Sequence, residues 1–234
     1  TLVVCGPRSR DLLSKITDAD MSNEAFPWLT SQRISIADIP LMAMRVNFVG
    51  ELGWELHHPI DQQIQLFDSI VETGAEFDLT HFGMYAMESM RLEKSYRMWG
   101  ADLTREYSIL EAGLDRFVQF KKDDFVGKQG LLKQKEAGVP QEFITLEIDT
   151  TDADAMGSEP VFLPGNSDLS GEMIGRATSG CFGHSIGKSL ALAYIRKGYS
   201  ETGTQLEIEI LGERRPARVI NESPCDPENK KLRA

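Results

Sequence analysis

Alternating apolar and polar positions predict a small sheet in the first part of the chain. Residues Leu2–Cys5 are typical of a strand already under way at the start, and RISIADI and PLMAMRVNF predict two further strands. The run GELGWEL supplies glycines for a turn into another strand. Because these runs are short and follow one another closely, we expect them to pair antiparallel.

Helical spacing of apolar residues predicts helices beside this sheet. The segment GPRSRDLLSKIT predicts a short surface helix. A longer helix is predicted from Ile60 to Gly74, because apolar residues recur there every three or four positions. Another is predicted from about Gly83 to Lys94. It is apolar on nearly every side through Met90, so we expect its first half to be deeply buried.

The rest of the chain changes to strand-like runs after one more helix. That helix, DDFVGKQGLLKQKEAG, offers Asp123 or Asp124 as its cap and Gly138 as its end. Turn-forming residues then separate the runs EFITLEID, EMIGRATSG, SLALAYIR, TQLEIEIL and PARVIN. The predicted class is α+β: an antiparallel sheet with packed helices in residues 1–138, followed by a small all-β barrel in residues 139–234.

Charge and cysteine content narrow the classes of partner. The chain has 36 acidic and 25 basic residues and a formal net charge of -11, which disfavours nucleic acid and anionic membranes as partners. No run approaches the ~20 apolar residues of a membrane-spanning helix. The cysteines Cys5, Cys181 and Cys225 are far apart, without a CxxC pair or a metal-spaced His cluster. A reducing compartment and no metal site are therefore predicted.

Three longer motifs follow one another along the chain. They are FVGELGWEL, then MRLEKSYRMWGADLTREYSILEAGLDRFV, then ATSGCFGHSIGKSLALAYI, with PARVI near the end. Taken in this order, they resemble the glycine-cleavage aminomethyltransferase family. The segment MRLEKSYRMWGADLT is most similar to the sarcosine and dimethylglycine dehydrogenase or oxidase branch of this family. The resemblance implies a cloverleaf-like protein that holds tetrahydrofolate in a central funnel and passes a one-carbon unit to it from an amine.

The dehydrogenase branch implies a division of labour with other parts of a longer protein. An upstream flavin domain, or a separate dehydrogenase subunit, would carry FAD and oxidise the N-methyl group to an iminium. The opening TLVVCGPRSRDLL resembles a segment well inside the folate unit, so we expect the catalytic aspartate upstream and assign no catalytic residue here. The chain alone is expected to be inactive, in a bacterial cytoplasm or a mitochondrial matrix.

Two candidate folate-binding residues, Phe48 and Glu55, lie in and just before the run GELGWEL. Glu55 matches the family glutamate that hydrogen-bonds the pterin ring, since a carboxylate can accept two N–H bonds from an aminopyrimidine edge. The alternative is an ordinary exposed strand glutamate. Phe48 stands where relatives often carry Tyr and would stack beside the pterin. The alternative is a core aromatic. Trp54 precedes Glu55 and is expected to face the core.

Two further candidates come from the MRLEKSYRMWG region. Met87 stands where the glycine-cleavage enzyme has a folate-contacting arginine. A thioether cannot form the charged or bidentate contact of an arginine. The alternative is that Met84, Met87 and Met90, which recur every three residues, pack in the core. Arg91 is expected to pair with Glu88 at i,i+3 instead of inheriting that contact. Trp99 stands at the family aromatic of an LYG-like turn and is expected to wall the funnel.

Other functions stay open on the sequence. One is a stand-alone glycine-cleavage-type aminomethyltransferase or a folate-dependent demethylase. Another is a folate-binding accessory protein for iron–sulfur cluster enzymes, although the Lys-Gly-Cys-Tyr signature of those relatives is replaced here by Lys122, Asp123, Asp124 and Phe125. The adjacent His57 and His58 face opposite sides of a strand, so they do not chelate one metal together.

Overall fold

A computed structural model describes residues 1–165 and 172–234, and the chain divides into two compact units. The first comprises Thr1–Met87 and Asp226–Ala234, and the second comprises Glu88–Cys225. Residues 88–138 thus belong to the same compact unit as the barrel strands. The division into domains at residues 1–138 and 139–234 stays a prediction from the sequence.

The first unit is built on a four-stranded antiparallel sheet. Its strands, in the spatial order β1-β4-β3-β2, are β1 (Leu2–Cys5), β2 (Ser31–Ile36), β3 (Ile39–Met44) and β4 (Gly53–His57). The predicted antiparallel pairing is therefore confirmed. Strand β3 ends earlier than the run PLMAMRVNF predicts, because the chain leaves the sheet after Met44.

The first unit also contains helices. They are α1 (Ser9–Ser14), α2 (Gln63–Gly74), preceded by a 3-10 turn at Ile60–Gln62 and followed by another at Ala75–Phe77, and the first residues of α3 (Met84–Glu93). The helix predicted from Ile60 to Gly74 is confirmed. A four-residue helix, α5 (Lys230–Arg233), also belongs to this unit.

The burial predicted for α3 is wrong. Met84 and Tyr85 at its start are 69% and 91% exposed, whereas Arg91, Leu92 and Glu93 near its end are buried. Met84, Met87 and Met90 are therefore not a buried packing series, since none of them is fully buried. Apolar composition predicted burial of the first half. In the structure the polar second half is buried instead, because its charged groups have partners.

The core of the first unit centres on Trp54, as predicted. Its ring is fully buried and meets Phe26 edge to face, with ring centroids 6.1 Å apart. The guanidinium groups of Arg10 and Arg45 lie 5.7 and 5.6 Å from the indole centroid. Gly53 allows β1 and β4 to approach, because a Cβ there would lie 2.6 Å from the carbonyl oxygen of Val4.

The second unit contains a closed barrel, which confirms the predicted all-β region. Its described strands, in the order β10-β5-β8-β7-β6-β9, are β5 (Gln141–Ile148), β6 (Pro160–Phe162), β7 (Met173–Gly183), β8 (Lys188–Arg196), β9 (Gln205–Ile210) and β10 (Glu213–Ile220). All five predicted runs form strands. The three residues of β6 were not predicted, because so short a run carries no alternation.

The helix before the barrel begins later than predicted. Helix α4 (Lys128–Ala137) follows Gly127, whose φ of 91° ends the preceding loop, and no side chain caps the helix. Asp123 and Asp124 as capping residues were therefore wrong. Gly138, with a φ of 80°, ends the helix as predicted.

The described residues contain neither a helix that could cross a membrane nor a cluster that could hold a metal ion. Across residues 1–165 and 172–234, no helix is both long and apolar enough to cross a lipid bilayer. Over the same ranges, no group of three or more His, Cys, Asp or Glu residues is arranged to hold a metal ion.

Truncating the buried Trp54 should destabilise the protein far more than truncating the exposed Trp99. We expect Trp54→Ala to lower the free energy of unfolding by about 3–5 kcal/mol, because it leaves a large cavity. Trp99→Ala, at a side chain that is 86% exposed, should change it by about 0.5 kcal/mol or less. Urea unfolding followed by circular dichroism measures both, and equal losses would contradict this account of the core.

The half-buried thiols of Cys5 and Cys181 should react slowly. Burial raises the pKa of Cys5 from 9.0 to about 11 and that of Cys181 to about 12. Because the thiolate is the reactive form, a raised pKa lowers reactivity at pH 8, by about a hundredfold for Cys5. Iodoacetamide labelling followed by peptide mass spectrometry checks this. The guanidinium-unfolded chain is the control, and equal rates in both states would oppose the expectation.

Candidate functional site

Strand β4 presents a carboxylate on the face of the sheet that does not pack on the core. Since side chains alternate along a strand, burying Trp54 and Leu56 directs Glu55 to the opposite face. Glu55 lies between Val3 of β1 and Met44 of β3 in the strand register. The Glu55 side chain is 30% exposed and Val3 is 44% exposed, so a charged acceptor is flanked by apolar, solvent-accessible neighbours.

Within residues 1–165 and 172–234, one oxygen of Glu55 has a hydrogen-bond partner and the other has none. His57 Nε2 lies 3.1 Å from Glu55 Oε2, and His57 Nδ1 lies 3.2 Å from Thr1 Oγ1. Among the residues that the structure describes, no other group hydrogen-bonds the Glu55 carboxylate. Its second oxygen therefore stays available to accept a hydrogen bond from a ligand, while the imidazole restrains the carboxylate's rotation.

His57 is the residue of this site that sequence reasoning missed. From the sequence, His57 and His58 are considered only as a pair that does not chelate one metal together. Residues two apart on a strand share a face, so the pair Glu55 and His57 carried a usable signal. His58 has different partners: its Nε2 lies 2.6 Å from Gln63 Oε1, and its Nδ1 lies 2.9 Å from the carbonyl oxygen of Leu56.

Phe48 lies in the loop between β3 and β4, not on a strand. Its side chain is half-buried. The loop is closed by Asn47, whose side-chain oxygen accepts hydrogen bonds from the amides of Val49 and Gly50, each at 3.0 Å. The Asn47 amide donates to the carbonyl oxygen of Glu51 at 2.6 Å. The ring of Phe48 is thus carried by a well-held loop that leads into the strand of Glu55.

Met87 lies on α3 and is half-buried. Its backbone amide donates to the carbonyl oxygen of Gly83 at 3.1 Å, as in a regular helical turn. The thioether offers polarisable contact but neither a charge nor a strong hydrogen-bond donor. Met87 can therefore contribute contact area to a ligand, but not the ion pair that an arginine would make.

Trp99 belongs to the second unit and is 86% exposed. It lies at the tip of a loop, Met98–Leu103, in which the amides of Asp102 and Leu103 donate to the carbonyl oxygen of Met98 at 2.9 and 3.1 Å. Gly100 has a φ of 87°, a conformation that favours glycine, and permits the reversal. The loop presents the indole to solvent.

A buried ion-pair network lies at the base of that loop. Arg91 pairs with Glu88, as predicted, and its Nη1 also donates to Asp102 Oδ2 at 2.6 Å. Both Arg91 and Asp102 are fully buried. Asp102 was not singled out from the sequence, because an Asp two residues after a glycine is an ordinary loop residue.

A cavity of the first unit lies elsewhere. It has a volume of about 440 Å³ and lies between β1, α2 and the segment 77–82. Apolar side chains such as Phe67, Ile70 and Phe77 dominate its lining. None of the predicted site residues lines this cavity, so the candidate site is the open sheet face around Glu55.

Comparison with known proteins matches both parts of the chain. The family described as GCVT N-terminal domain matches residues 1–122, and the one described as Glycine cleavage T-protein C-terminal barrel domain matches residues 141–226. A crystal structure of glycine cleavage system aminomethyltransferase T from Bartonella henselae superposes with a TM-score of 0.80 at 22% identity. It covers 95% of this chain and 58% of that one, and shows a shared fold.

Named relatives include two dehydrogenases and a transferase. Mitochondrial dimethylglycine dehydrogenase of Homo sapiens is 40% identical over 222 residues, covering 94% of this chain and 25% of that protein. Mitochondrial sarcosine dehydrogenase of Mus musculus is 34% identical over 241 residues, covering 99% and 25%. Aminomethyltransferase of Thermoanaerobacter sp. (strain X514) is 32% identical over 222 residues, covering 95% and 58%.

The chain thus spans about a quarter of the length of the dehydrogenases that it matches. The sheet with its helices, the closed barrel and the order of the two matched regions agree with one another. They also agree with the resemblance found in the sequence. On these grounds the chain belongs to the glycine cleavage T-protein family.

Proposed function

We propose that this chain binds tetrahydrofolate and helps a longer, dehydrogenase-like protein transfer a one-carbon unit from an N-methyl amine to it. The observation that carries the proposal is Glu55, a partly exposed carboxylate with one free oxygen on an open sheet face. The names of the relatives dimethylglycine dehydrogenase and sarcosine dehydrogenase support an N-methyl amine as the donor.

The residues around Glu55 fit a flat heterocycle with an edge of N–H donors. The free oxygen of Glu55 can accept from that edge, and a charge-assisted hydrogen bond fixes direction as well as affinity. Val3 and Met44 on the flanking strands offer apolar surface to the ring faces. His57 keeps the carboxylate in one orientation through its contact with Oε2.

In this mechanism the chain positions its ligand and leaves bond-making to other groups. Bound tetrahydrofolate supplies the nitrogen that accepts the one-carbon unit. Glu55 would orient the ring by its N–H edge, and the sheet face would keep water from one side of it. We assign no general acid or base to this chain. The catalytic aspartate and FAD belong, in this proposal, to upstream parts of the longer protein or to a separate subunit.

The remaining site residues take supporting roles in the proposal. Phe48, carried on the loop before β4, would add ring contact, and Met87 would add polarisable surface without a charge. Trp99 stays a predicted funnel-lining residue on the strength of the resemblance. Because Met87 replaces an arginine, the proposal places more of the polar recognition on Glu55.

The similarity to an aminomethyltransferase supports a second candidate function. That relative is 32% identical and is matched over 58% of its length. In this alternative the chain is part of a transferase that works without a flavin. The absorption spectrum of the purified longer protein separates the two. Flavin absorption bands in the longer protein, or in a dehydrogenase subunit that co-purifies with it, support the dehydrogenase function. A colourless preparation with no such subunit supports the transferase.

Neutralising Glu55 should weaken folate binding. We expect Glu55→Gln to reduce the affinity of the longer protein for tetrahydrofolate by about 10- to 100-fold, because a charge-assisted hydrogen bond of about 1.5–3 kcal/mol is lost. Anaerobic titration calorimetry measures the change.

Glu51→Gln is a matched control for this experiment. Glu51 lies just before the same strand and pairs with Lys231 at 2.7 Å. Its neutralisation removes the same charge from the same unit and should leave folate affinity within about twofold. Equal affinities in the wild type and Glu55→Gln would remove the central residue of the proposal.

A further inference from the structure

We infer that Asp102 is the positioning residue of the Trp99 loop, holding its base so that the indole is presented as a fixed stacking surface. The inference concerns the second unit. The identity of the stacked ligand as the pterin rests on the proposed function, whereas the restraint of the loop does not. Asp102 itself contacts no ligand in this account.

The two oxygens of Asp102 serve different segments. Oδ2 accepts from the backbone amide of Met98 at 2.7 Å and from Arg91 Nη1 at 2.6 Å. Oδ1 accepts from the hydroxyl of Ser179 at 2.8 Å and from that of Thr178. One carboxylate therefore joins the start of the Trp99 loop to helix α3 on one side and to barrel strand β7 on the other.

Additional contacts hold the same loop. Arg91 Nη1 also donates to the carbonyl oxygen of Tyr96 at 2.9 Å, and the amide of Tyr96 donates to the carbonyl oxygen of Arg91 at 2.9 Å. The hydroxyl of Tyr194 donates to the backbone carbonyl oxygen of Asp102 at 2.9 Å. These contacts lie at the base of the loop, close to Asp102.

The base and the tip of the Trp99 loop differ sharply in burial, which indicates a role for the loop beyond stability. Asp102 is fully buried, but Trp99 at the tip is 86% exposed and contributes little to the core. An aromatic ring on a rigid support loses less entropy on binding than one on a mobile loop. The arrangement is that of a preorganised surface for a flat ring.

Amide exchange in the 234-residue chain tests the restraint. In Asp102→Ala we expect the exchange rate of the Met98 amide, relative to that of Leu192 in β8, to rise about tenfold or more. Asp102→Asn should restore the ratio to within about threefold of the wild type, because its amide oxygen can accept from Met98 while its nitrogen donates to the two hydroxyls.

Ser179→Ala is the control for a merely structural role. It removes one hydrogen bond from Oδ1 and leaves both bonds of Oδ2, so stability should fall while the Met98 to Leu192 ratio stays unchanged. A ratio that rises equally in Ser179→Ala and Asp102→Ala would overturn the inference. So would a ratio that does not rise in Asp102→Ala.

The wild type decides the question if Asp102→Ala does not fold. A restrained loop requires the Met98 amide to exchange about as slowly as that of Leu192, although Met98 adjoins an exposed tip. Exchange at Met98 about a hundredfold faster than at Leu192 would overturn the inference without any variant.

Folate titration of the longer protein tests whether the restrained Trp99 loop contributes to ligand binding. Trp99→Ala should weaken tetrahydrofolate binding about two- to tenfold, Asp102→Ala should weaken it similarly, and the double variant should add little. Full additivity, or loss in Trp99→Ala alone, would overturn the positioning role. If the wild type does not bind tetrahydrofolate, the proposed function fails, whereas the exchange ratios still decide whether Asp102 restrains the loop.

Discussion

The period of two along strand β4 is the constraint from which the candidate site follows. Trp54 and Leu56 must face the core, because their burial against Phe26 and the helices closes the first unit. The residues between and beyond them, Glu55 and His57, then have no choice but the opposite face. A shift of one residue in register would exchange the two sets. The packing of the core thus determines where the carboxylate is displayed.

A second constraint operates in the other unit, where charge is buried instead of displayed. Arg91 and Asp102 are removed from solvent, which is tolerable only because each has several partners. Breaking one partner would leave the other charge uncompensated. The two units therefore use carboxylates in opposite ways. Glu55 keeps an oxygen free, and Asp102 has both oxygens occupied within the protein.

Features set by local pattern could be predicted from the sequence. Alternation located β2, β4 and the five longer barrel strands, and Gly74 and Gly138 marked helix ends correctly. Features set by tertiary partners could not. The buried half of α3 is its polar half, because Arg91 finds Asp102 eleven residues later, and no periodicity records that pairing. Glu55 and Trp99 are candidates through resemblance alone, whereas the pairing of His57 with Glu55 follows from the alternation of side chains along a strand.

The network around Asp102 has a consequence for the order of assembly. Its hydroxyl donors Thr178 and Ser179 are 76 and 77 residues away in sequence, so the loop closes only after a long stretch of chain is brought back. Helix α3 can form from local contacts, but the carboxylate lacks half of its donors until β7 is seated in the barrel. The restraint on the loop that carries the indole is therefore complete only when β7 is in place. A chain that halts with an unfinished barrel displays no fixed aromatic surface.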